Sequence, residues 1–520
     1  MGATTLRGMP RRRTSRARRS LAALVATAAL LAGACTNEGD DPTVADGGDE
    51  TSDEVLVPDA DADASVGDAR VGPEGFIPPP IEWEDCAYGE CATLEVPLDY
   101  EDQSLGTTEI FVSREPARGD RRGVLFVNPG GPGGTATDFA ATLAVMLPSE
   151  VTEHFDIVGV DPRGTGESSP LSCGIPTKEL YAADPTIEDD ADIDAIIHIS
   201  EAYVDDCADR HGDVLQHVGT RDVARDMDAV RAAMGEERIS YLGFSYGTAL
   251  GQVYAELFPT RVDKMILDGV LLLGPSGLEQ ATAQAAGFEV ALGRWVEWCA
   301  GSTGCAVQAD PLGAVETVLA LAEEGDGFPS ANADRPAGPG EVSLALSMAM
   351  YAETLWRPLG TALAEALAGD GSGLVRLADQ YIGFGGFEVY FAVNCLDFDW
   401  PEDPTEILAA GKGAAEQSPH FGEAIVNDYI RCADWPVERE PIEPVTAEGT
   451  PTIVVISTTG DPATPYEAGV ELAERLADAV LVTYEGEGHT VVANGVRCID
   501  EIVVRYLVEG EPPADGTTCT

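Results

Sequence analysis

Gly243-Phe244-Ser245-Tyr246-Gly247 places a serine between glycines two residues away on either side. The stretch Arg238-Ile239-Ser240-Tyr241-Leu242 reads as a short buried strand before it, and residues 248–258 read as a helix after it, ended by Pro259. A serine on such a strand-to-helix turn holds its hydroxyl out at the top of a sheet, above a helix N-terminus. The glycines let the turn be sharp without a backbone clash. A bare G-x-S-x-G arises often by chance, and it is the flanking strand and helix that make Ser245 a nucleophile candidate.

A serine hydroxyl is a weak nucleophile and needs a base, an acid to orient the base, and donors for the oxyanion. Of six histidines, only His489 follows a late strand in a glycine-rich loop, Glu485-Gly486-Glu487-Gly488-His489-Thr490. The other five lie in helical or polar stretches and read as surface residues. Asp461, in Thr459-Gly460-Asp461-Pro462-Ala463-Thr464-Pro465, comes directly after the apolar strand 451–456. A lone aspartate is usually a turn or helix cap, but this one precedes the base in the order Ser, Asp, His. The glycine-rich loop Asn128-Pro129-Gly130-Gly131-Pro132-Gly133-Gly134 follows another strand, and its Gly131 amide, with that of Tyr246, is the expected oxyanion hole. The same loop could cradle phosphate, but it lacks the Lys-Ser/Thr ending of a P-loop. Asp161-Pro162-Arg163-Gly164-Thr165-Gly166-Glu167-Ser168 reads as a structural buttress. No C-x-x-C pair or Cys/His cluster points to zinc, so neither metal nor cofactor is expected.

The elements that must position these residues alternate. Apolar strands are predicted at 109–114, 123–127, 155–160, 239–242, 264–267, 452–457 and 480–484, with helices at 220–234, 248–258, 465–476 and 496–508. Continuous apolar strands separated by helices predict an α/β fold with a mostly parallel sheet covered on both faces. Between 275 and 444 the pattern turns helical with few strand candidates. The sheet domain is thus expected in two parts, 77–274 and 445–520, with a largely helical lid inserted at 275–444.

Seven arginines precede an apolar run at residues 21–31, which reads as an export signal over 1–34. The run ends in Leu31-Ala32-Gly33-Ala34-Cys35, which resembles a bacterial lipoprotein box with Cys35 as the lipidated residue. Cleavage by an ordinary signal peptidase is the alternative, and Arg18-Arg19 leaves twin-arginine export open. Residues 35–76 are rich in Asp, Glu, Gly, Ala and Thr and read as a flexible acidic tether.

Eleven cysteines leave ten once Cys35 is set aside. By proximity in sequence they pair as Cys86 with Cys91, Cys173 with Cys207, Cys299 with Cys305, Cys395 with Cys432, and Cys498 with Cys519. Export favours disulfides, although proximity does not prove connectivity and free buried thiols are the alternative. Ninety acidic residues against 31 basic ones give a net charge of −59. Such a surface repels nucleic acid and anionic membranes, so contact with a membrane is expected only through a lipid anchor.

N-P-G-G-P-G-G, D-P-R-G-x-G-x-S, G-x-S-Y-G-T, T-x-x-D-P-x-T-P, G-x-G-H and a terminal Cys pair together resemble the secreted tripeptidyl and prolyl aminopeptidases of actinobacteria, which are α/β-hydrolase serine peptidases. The likeness covers about residues 80–519, including Trp83, the 96–100 run and Asp268-Gly269, and is least in the lid. Thr135 stands where the family usually has serine. The resemblance implies an α/β-hydrolase fold with Ser245 as nucleophile, Asp461 as orienter and His489 as base. It also implies peptide substrates, with short units released from free N-termini. An esterase or lipase using the same triad is the rival, and a non-catalytic peptide-binding lipoprotein is a third reading. An aminopeptidase needs a carboxylate for the substrate ammonium, and Glu353 and Asp397 are the candidates in the lid.

The leader makes a separate prediction. Protein extracted from membranes is expected to carry acyl mass on Cys35 in an intact-mass spectrum. Unmodified soluble protein starting at another residue would instead indicate simple secretion.

Overall fold

Branched apolar runs with no polar face can be satisfied only as strands covered on both sides. The computed structural model, which describes residues 69–520 apart from 188, 326, 333 and 334, forms such strands into one sheet. In chain order they are β1 (Glu84–Cys86), β2 (Gly89–Pro97), β3 (Thr107–Glu115), β4 (Gly123–Asn128), β5 (Phe155–Val160), β6 (Ile239–Phe244), β7 (Val262–Asp268), β8 (Ile453–Gly460), β9 (Ala479–Glu487) and β10 (Thr517–Cys519). Across the sheet the order is β1-β2-β3-β5-β4-β6-β7-β8-β9-β10. From β5 to β10 every pairing is parallel, while β1, β2 and β3 form an antiparallel edge joined to β5.

Alternation along β4 shows how the faces are filled. Val124 and Phe126 join a core that includes Val223, Met227, Leu250 and Val253 from the helices Thr220–Ala233 and Tyr246–Leu257. Leu125 and Val127 join the opposite core, with Leu143 from the helix Ala136–Met146 and Ile499 and Val503 from the helix Arg497–Val504. The chain runs from β4 to β5 on one side and then to β6 on the other. This reversal opens a crevice at the carboxyl ends of β4 and β6, where α/β sheets carry their sites.

After β7 the chain leaves the sheet, and it returns only at β8. The intervening helices from Gly277–Gly301 to Ser372–Ile382 build a core of their own around Phe288, Trp295, Leu346, Trp356 and Leu363. Trp295 Nε1 donates to Trp356 O at 3.0 Å, so the fully buried Trp295 indole is satisfied as well as packed. The helix Phe387–Asp397 joins the sheet core instead, and with it the helix Asp190–His211, which precedes β6: Tyr203 meets Phe391 edge-on at 5.7 Å.

The expected tether ends earlier than the sequence indicates. Val71 and Phe76 exchange backbone hydrogen bonds at 2.8 and 2.9 Å, and Val71 is buried in the sheet core beside Tyr100. Two apolar residues with a partner to cover them suffice to order 71–76, which composition alone does not reveal. Cys35, the export signal and residues 36–68 lie outside the described residues. Among those described, five disulfides join Cys86–Cys91, Cys173–Cys207, Cys299–Cys305, Cys395–Cys432 and Cys498–Cys519.

One buried ion pair ties the floor of the crevice to the helix beneath it. Arg163 and Asp226 have side chains 2% and 1% exposed. The guanidinium forks onto both carboxylate oxygens at 2.7 Å, while Tyr100 OH donates to Asp226 Oδ1 at 2.9 Å. The guanidinium's remaining donors reach Leu98 O, His217 O and Pro97 O. Arg163→Leu would leave Asp226 charged and unpaired, at a cost of about 3–5 kcal/mol. Urea denaturation should show a lower midpoint at unchanged slope, and Arg163→Lys should restore only part of it, because one ammonium cannot fill a fork.

Candidate active site

Ser245 is the whole turn between β6 and the helix Tyr246–Leu257. Its backbone angles, φ 55° and ψ −127°, lie where a side chain is strained, at a cost of about 1–3 kcal/mol. Its N–H donates to Asp268 O at 3.0 Å, and its carbonyl accepts from Thr248 N at 2.8 Å and Thr248 Oγ1 at 2.6 Å. Space dictates the preceding glycine: a Cβ on Gly243 would sit 2.3 Å from Gly247 O.

Asp461 immediately follows β8, and its carboxylate is sealed from solvent. Oδ1 accepts from Ala463 N at 3.0 Å and Thr464 N at 2.9 Å, and Oδ2 accepts from Thr464 Oγ1 at 2.9 Å. Both oxygens lie 2.9 Å from His489 Nδ1. The aspartate is therefore a turn-former and the histidine's partner at once. His489 stands two residues past β9, with its backbone N–H on Tyr351 O at 2.9 Å and the Tyr351 ring edge-on at 5.5 Å. With Nδ1 engaged, Nε2 is the free edge of the imidazole. That ring borders the elbow: His489 Cε1 lies 3.2 Å from where a Cβ on Gly269 would stand, and Gly269 adjoins the Asp268 carbonyl that holds Ser245.

The loop after β4 closes the site from the other side. A Cβ on Gly130 would come within 2.8 Å of Ser245 Cβ and 3.0 Å of Tyr246 N. Gly130 gives its own N–H to Asn128 Oδ1 at 2.9 Å. The Tyr246 amide opens the helix and has no helical acceptor, and it borders Gly130, the residue before Gly131. Asp161 instead accepts from Thr137 N at 3.0 Å and from Thr137 Oγ1, which fixes the neighbouring loop rather than the reacting centre.

Asp268, at the end of β7, has a larger part than the sequence alone reveals. Its Oδ2 accepts from Val491 N at 2.8 Å and Val492 N at 2.7 Å, just beyond His489. Burial pushes its pKa up to about 6 against the opposing pull of those two amides. The Asp268-Gly269 pair at a strand end was the available signal.

The structure corrects one candidate for the ammonium anchor. Asp397 is buried and lines neither of the two cavities beside the site, with its carboxylate taken up by Thr220 N at 3.0 Å and by Thr220 Oγ1. The sequence placed it beside apolar residues, and those residues bury it. Glu353 is exposed, two residues past Tyr351. Two cavities lie nearby. One, of about 610 Å³, runs between the helix Gly277–Gly301 and the Asp461 loop. The other, of about 100 Å³, is lined by Tyr181, Tyr381, Tyr390, Asp428 and Arg431 and shares Gln284 and Tyr429 with the first. Tyr381 packs on Tyr351, the neighbour of His489. Among the described residues no group of three or more His, Cys, Asp or Glu is placed to hold a metal ion.

A parallel sheet with a serine elbow, a carboxylate–imidazole pair and an amide-lined loop at one edge defines a serine hydrolase of the α/β-hydrolase class. The comparisons with known proteins narrow this. The chain is 36% identical over 479 residues to serine protease Hip1 of Mycobacterium tuberculosis, covering 85% of this chain and 91% of that protein. It is 32% identical over 490 residues to tripeptidyl aminopeptidase of Streptomyces lividans, covering 88% of each. It is 35% identical over 452 residues to carboxylesterase B of M. tuberculosis, covering 82% of this chain and 86% of that protein. The family described as TAP-like protein matches residues 418–519. The chain belongs to the tripeptidyl-aminopeptidase-like family of actinobacterial α/β-hydrolase serine peptidases.

The electrostatics of the imidazole predict a pH profile. Burial lowers the His489 pKa, but the charge and hydrogen bond of Asp461, with the charge of Asp268, outweigh it and raise the pKa above its ordinary 6.5. A base must be neutral to take the serine proton, so kcat/KM should fall as pH drops through a value above 6.5. Asp461→Ala leaves burial dominant, so that limb should move to lower pH while kcat falls by about 10⁴-fold. A limb that stays in place in this variant would remove Asp461 as the partner.

Proposed function

We propose that this chain is an exported serine aminopeptidase that releases tripeptides or other short N-terminal units from peptides through an acyl-enzyme on Ser245. The observation that carries the reading is the Asp461–His489 pair, 2.9 Å apart, beside a strained serine turn. The sequence likeness to Hip1 and to the Streptomyces tripeptidyl aminopeptidase supports peptides as the substrate class.

In this reading Ser245 Oγ attacks the scissile carbonyl as His489 Nε2 takes its proton. The imidazolium that forms is stabilised by Asp461, which also holds Nδ1 protonated. The carbonyl oxygen becomes an oxyanion between the Gly131 and Tyr246 amides, donors of the kind worth about 10²–10³ in kcat. His489 returns the proton to the leaving amine and then activates the water that frees the acyl group. The helical segment 275–444 acts as a lid over the crevice and sets which substrates reach it. At the N-terminus, Cys35 is the proposed lipid-anchor site and residues before it the export signal.

The likeness to carboxylesterase B favours a second reading, in which the same residues cleave esters. The two differ at the substrate's amine. An aminopeptidase holds that ammonium with a carboxylate, a charge-assisted contact worth about 1.5–3 kcal/mol, or roughly ten- to over a hundred-fold in turnover efficiency. Glu353 on the rim and Asp428 in the smaller cavity are the acids to test.

Acetylated tripeptidyl amides should be cleaved at least about ten-fold more slowly than free ones. Neutralising the true anchor, by Glu353→Gln or Asp428→Asn, should shrink that gap and spare small neutral esters. Ser245→Ala should abolish turnover of every substrate. Equal rates on free and acetylated peptides, or brisk ester cleavage with no amide cleavage, would transfer the assignment to an esterase.

A further inference from the structure

We infer that Asp397, acting through Thr220, positions the oxyanion-binding amide of Tyr246. The inference rests on the proposed role of that amide. Tyr246 follows the nucleophile, and its side chain runs down into the protein, where it is buried. Its phenol lies 2.7 Å from Thr220 Oγ1. Thr220 Oγ1 donates to Asp397 Oδ2 in a short contact, and Thr220 N donates to the same oxygen at 3.0 Å. When ionised, the Asp397 carboxylate only accepts, and it then fixes the proton order along the chain. The threonine hydroxyl gives its hydrogen to Asp397, which leaves Thr220 Oγ1 to accept from the Tyr246 phenol.

This arrangement accounts for an otherwise costly burial. A carboxylate removed from water needs strong donors. Here they are the first amide and the hydroxyl of Thr220, at the start of the helix Thr220–Ala233, where the helix dipole also favours an anion. An ionised acceptor at one end strengthens the hydroxyl–hydroxyl bond further along. The Tyr246 ring is therefore pinned at its far end, while the backbone on the other side of the amide is pinned by Ser245 N–H on the Asp268 carbonyl at 3.0 Å. An amide held from both sides keeps its direction, and a misplacement of about 1 Å at such a donor can cost 10²-fold. Asp397 closes the lid helix Phe387–Asp397, and Cys395 on that helix is bridged to Cys432. Asp397 is thus a positioning residue, and the geometry of the oxyanion site is set partly from the lid.

The test is steady-state kinetics of Tyr246→Phe, Thr220→Val, their double variant and Asp397→Asn, with melting temperatures and inhibition by a peptide aldehyde. Thr220→Val keeps the backbone donor to Asp397, so it reports on the chain even if Asp397→Asn does not fold. Each single variant should lower kcat at least ten-fold with KM within about two-fold. Aldehyde affinity should fall in parallel with kcat/KM, and the double variant should be no worse than either single one. Wild-type kcat in folded variants, a loss confined to KM, or losses that multiply in the double variant would overturn the inference. Ser245→Ala run alongside separates the two failures. If it retains turnover, the assignment of the elbow falls. If it is inactive while Tyr246→Phe and Thr220→Val turn over normally, only the positioning chain falls.

Discussion

Asp268 holds the two sides of the candidate centre with different parts of itself. Its backbone carbonyl takes the Ser245 amide, and its carboxylate takes the amides of Val491 and Val492. The segment beyond His489 needs such support, because Thr490 and Ala493 both sit at positive φ, 63° and 66°. Ser245 is itself strained. Strain of this kind persists only where surrounding bonds over-determine it, and a buried carboxylate at a strand end supplies bonds that water cannot displace. The position of Asp268 follows from the parallel sheet: β6, β7 and β8 run side by side, so Phe244 pairs with Asp268 and Asp268 with Ile456.

Burial raises the stakes of every charge near that edge. Asp461 is sealed from solvent yet fully engaged, so its field acts on His489 with little screening. Asp268 keeps one oxygen, Oδ1, without a hydrogen-bond partner, and burial shifts it toward protonation. Asp397 is shifted further, up to about 7, by burial acting against the donors of Thr220. The net charge of −59 belongs to a different regime. Those charges are mostly solvated and screened within about 10 Å, and they govern solubility and association rather than the chemistry.

Relatives named as peptidases and as an esterase are alike similar to this chain over most of its length, so the choice between amides and esters is not made by overall likeness. It lies in what meets the rest of the substrate. The segment between β7 and β8 supplies Tyr351 against the imidazole, Tyr381 and Phe384 packed on Tyr351, and Asp428 bonded to Tyr181 and Arg431 in the adjoining cavity. In the proposed function, a substrate reaching Ser245 is read by this aromatic wall and the few polar groups set into it.

The sequence by itself determined the features whose cause is local. A strand, one serine, then a helix specify an elbow, and apolar runs separated by helices specify a covered parallel sheet. Asp461 and His489 stood out because each follows a strand of that sheet. Short or half-exposed edge strands escaped notice: β1 has three residues, and β2 alternates buried with open positions. Only the tertiary structure decided that Asp397 is buried against Thr220, that Thr220 stands between it and Tyr246, and that Asp268 joins the Ser245 turn to the segment beyond His489. Asp397 and Thr220 lie 177 residues apart, and Asp268 and Val491 lie 223 apart. Neighbours in sequence record which residue can form a strand, a turn or a cap. Which buried donor meets which buried carboxylate depends on how layers pack across such distances, and no local pattern carries that information.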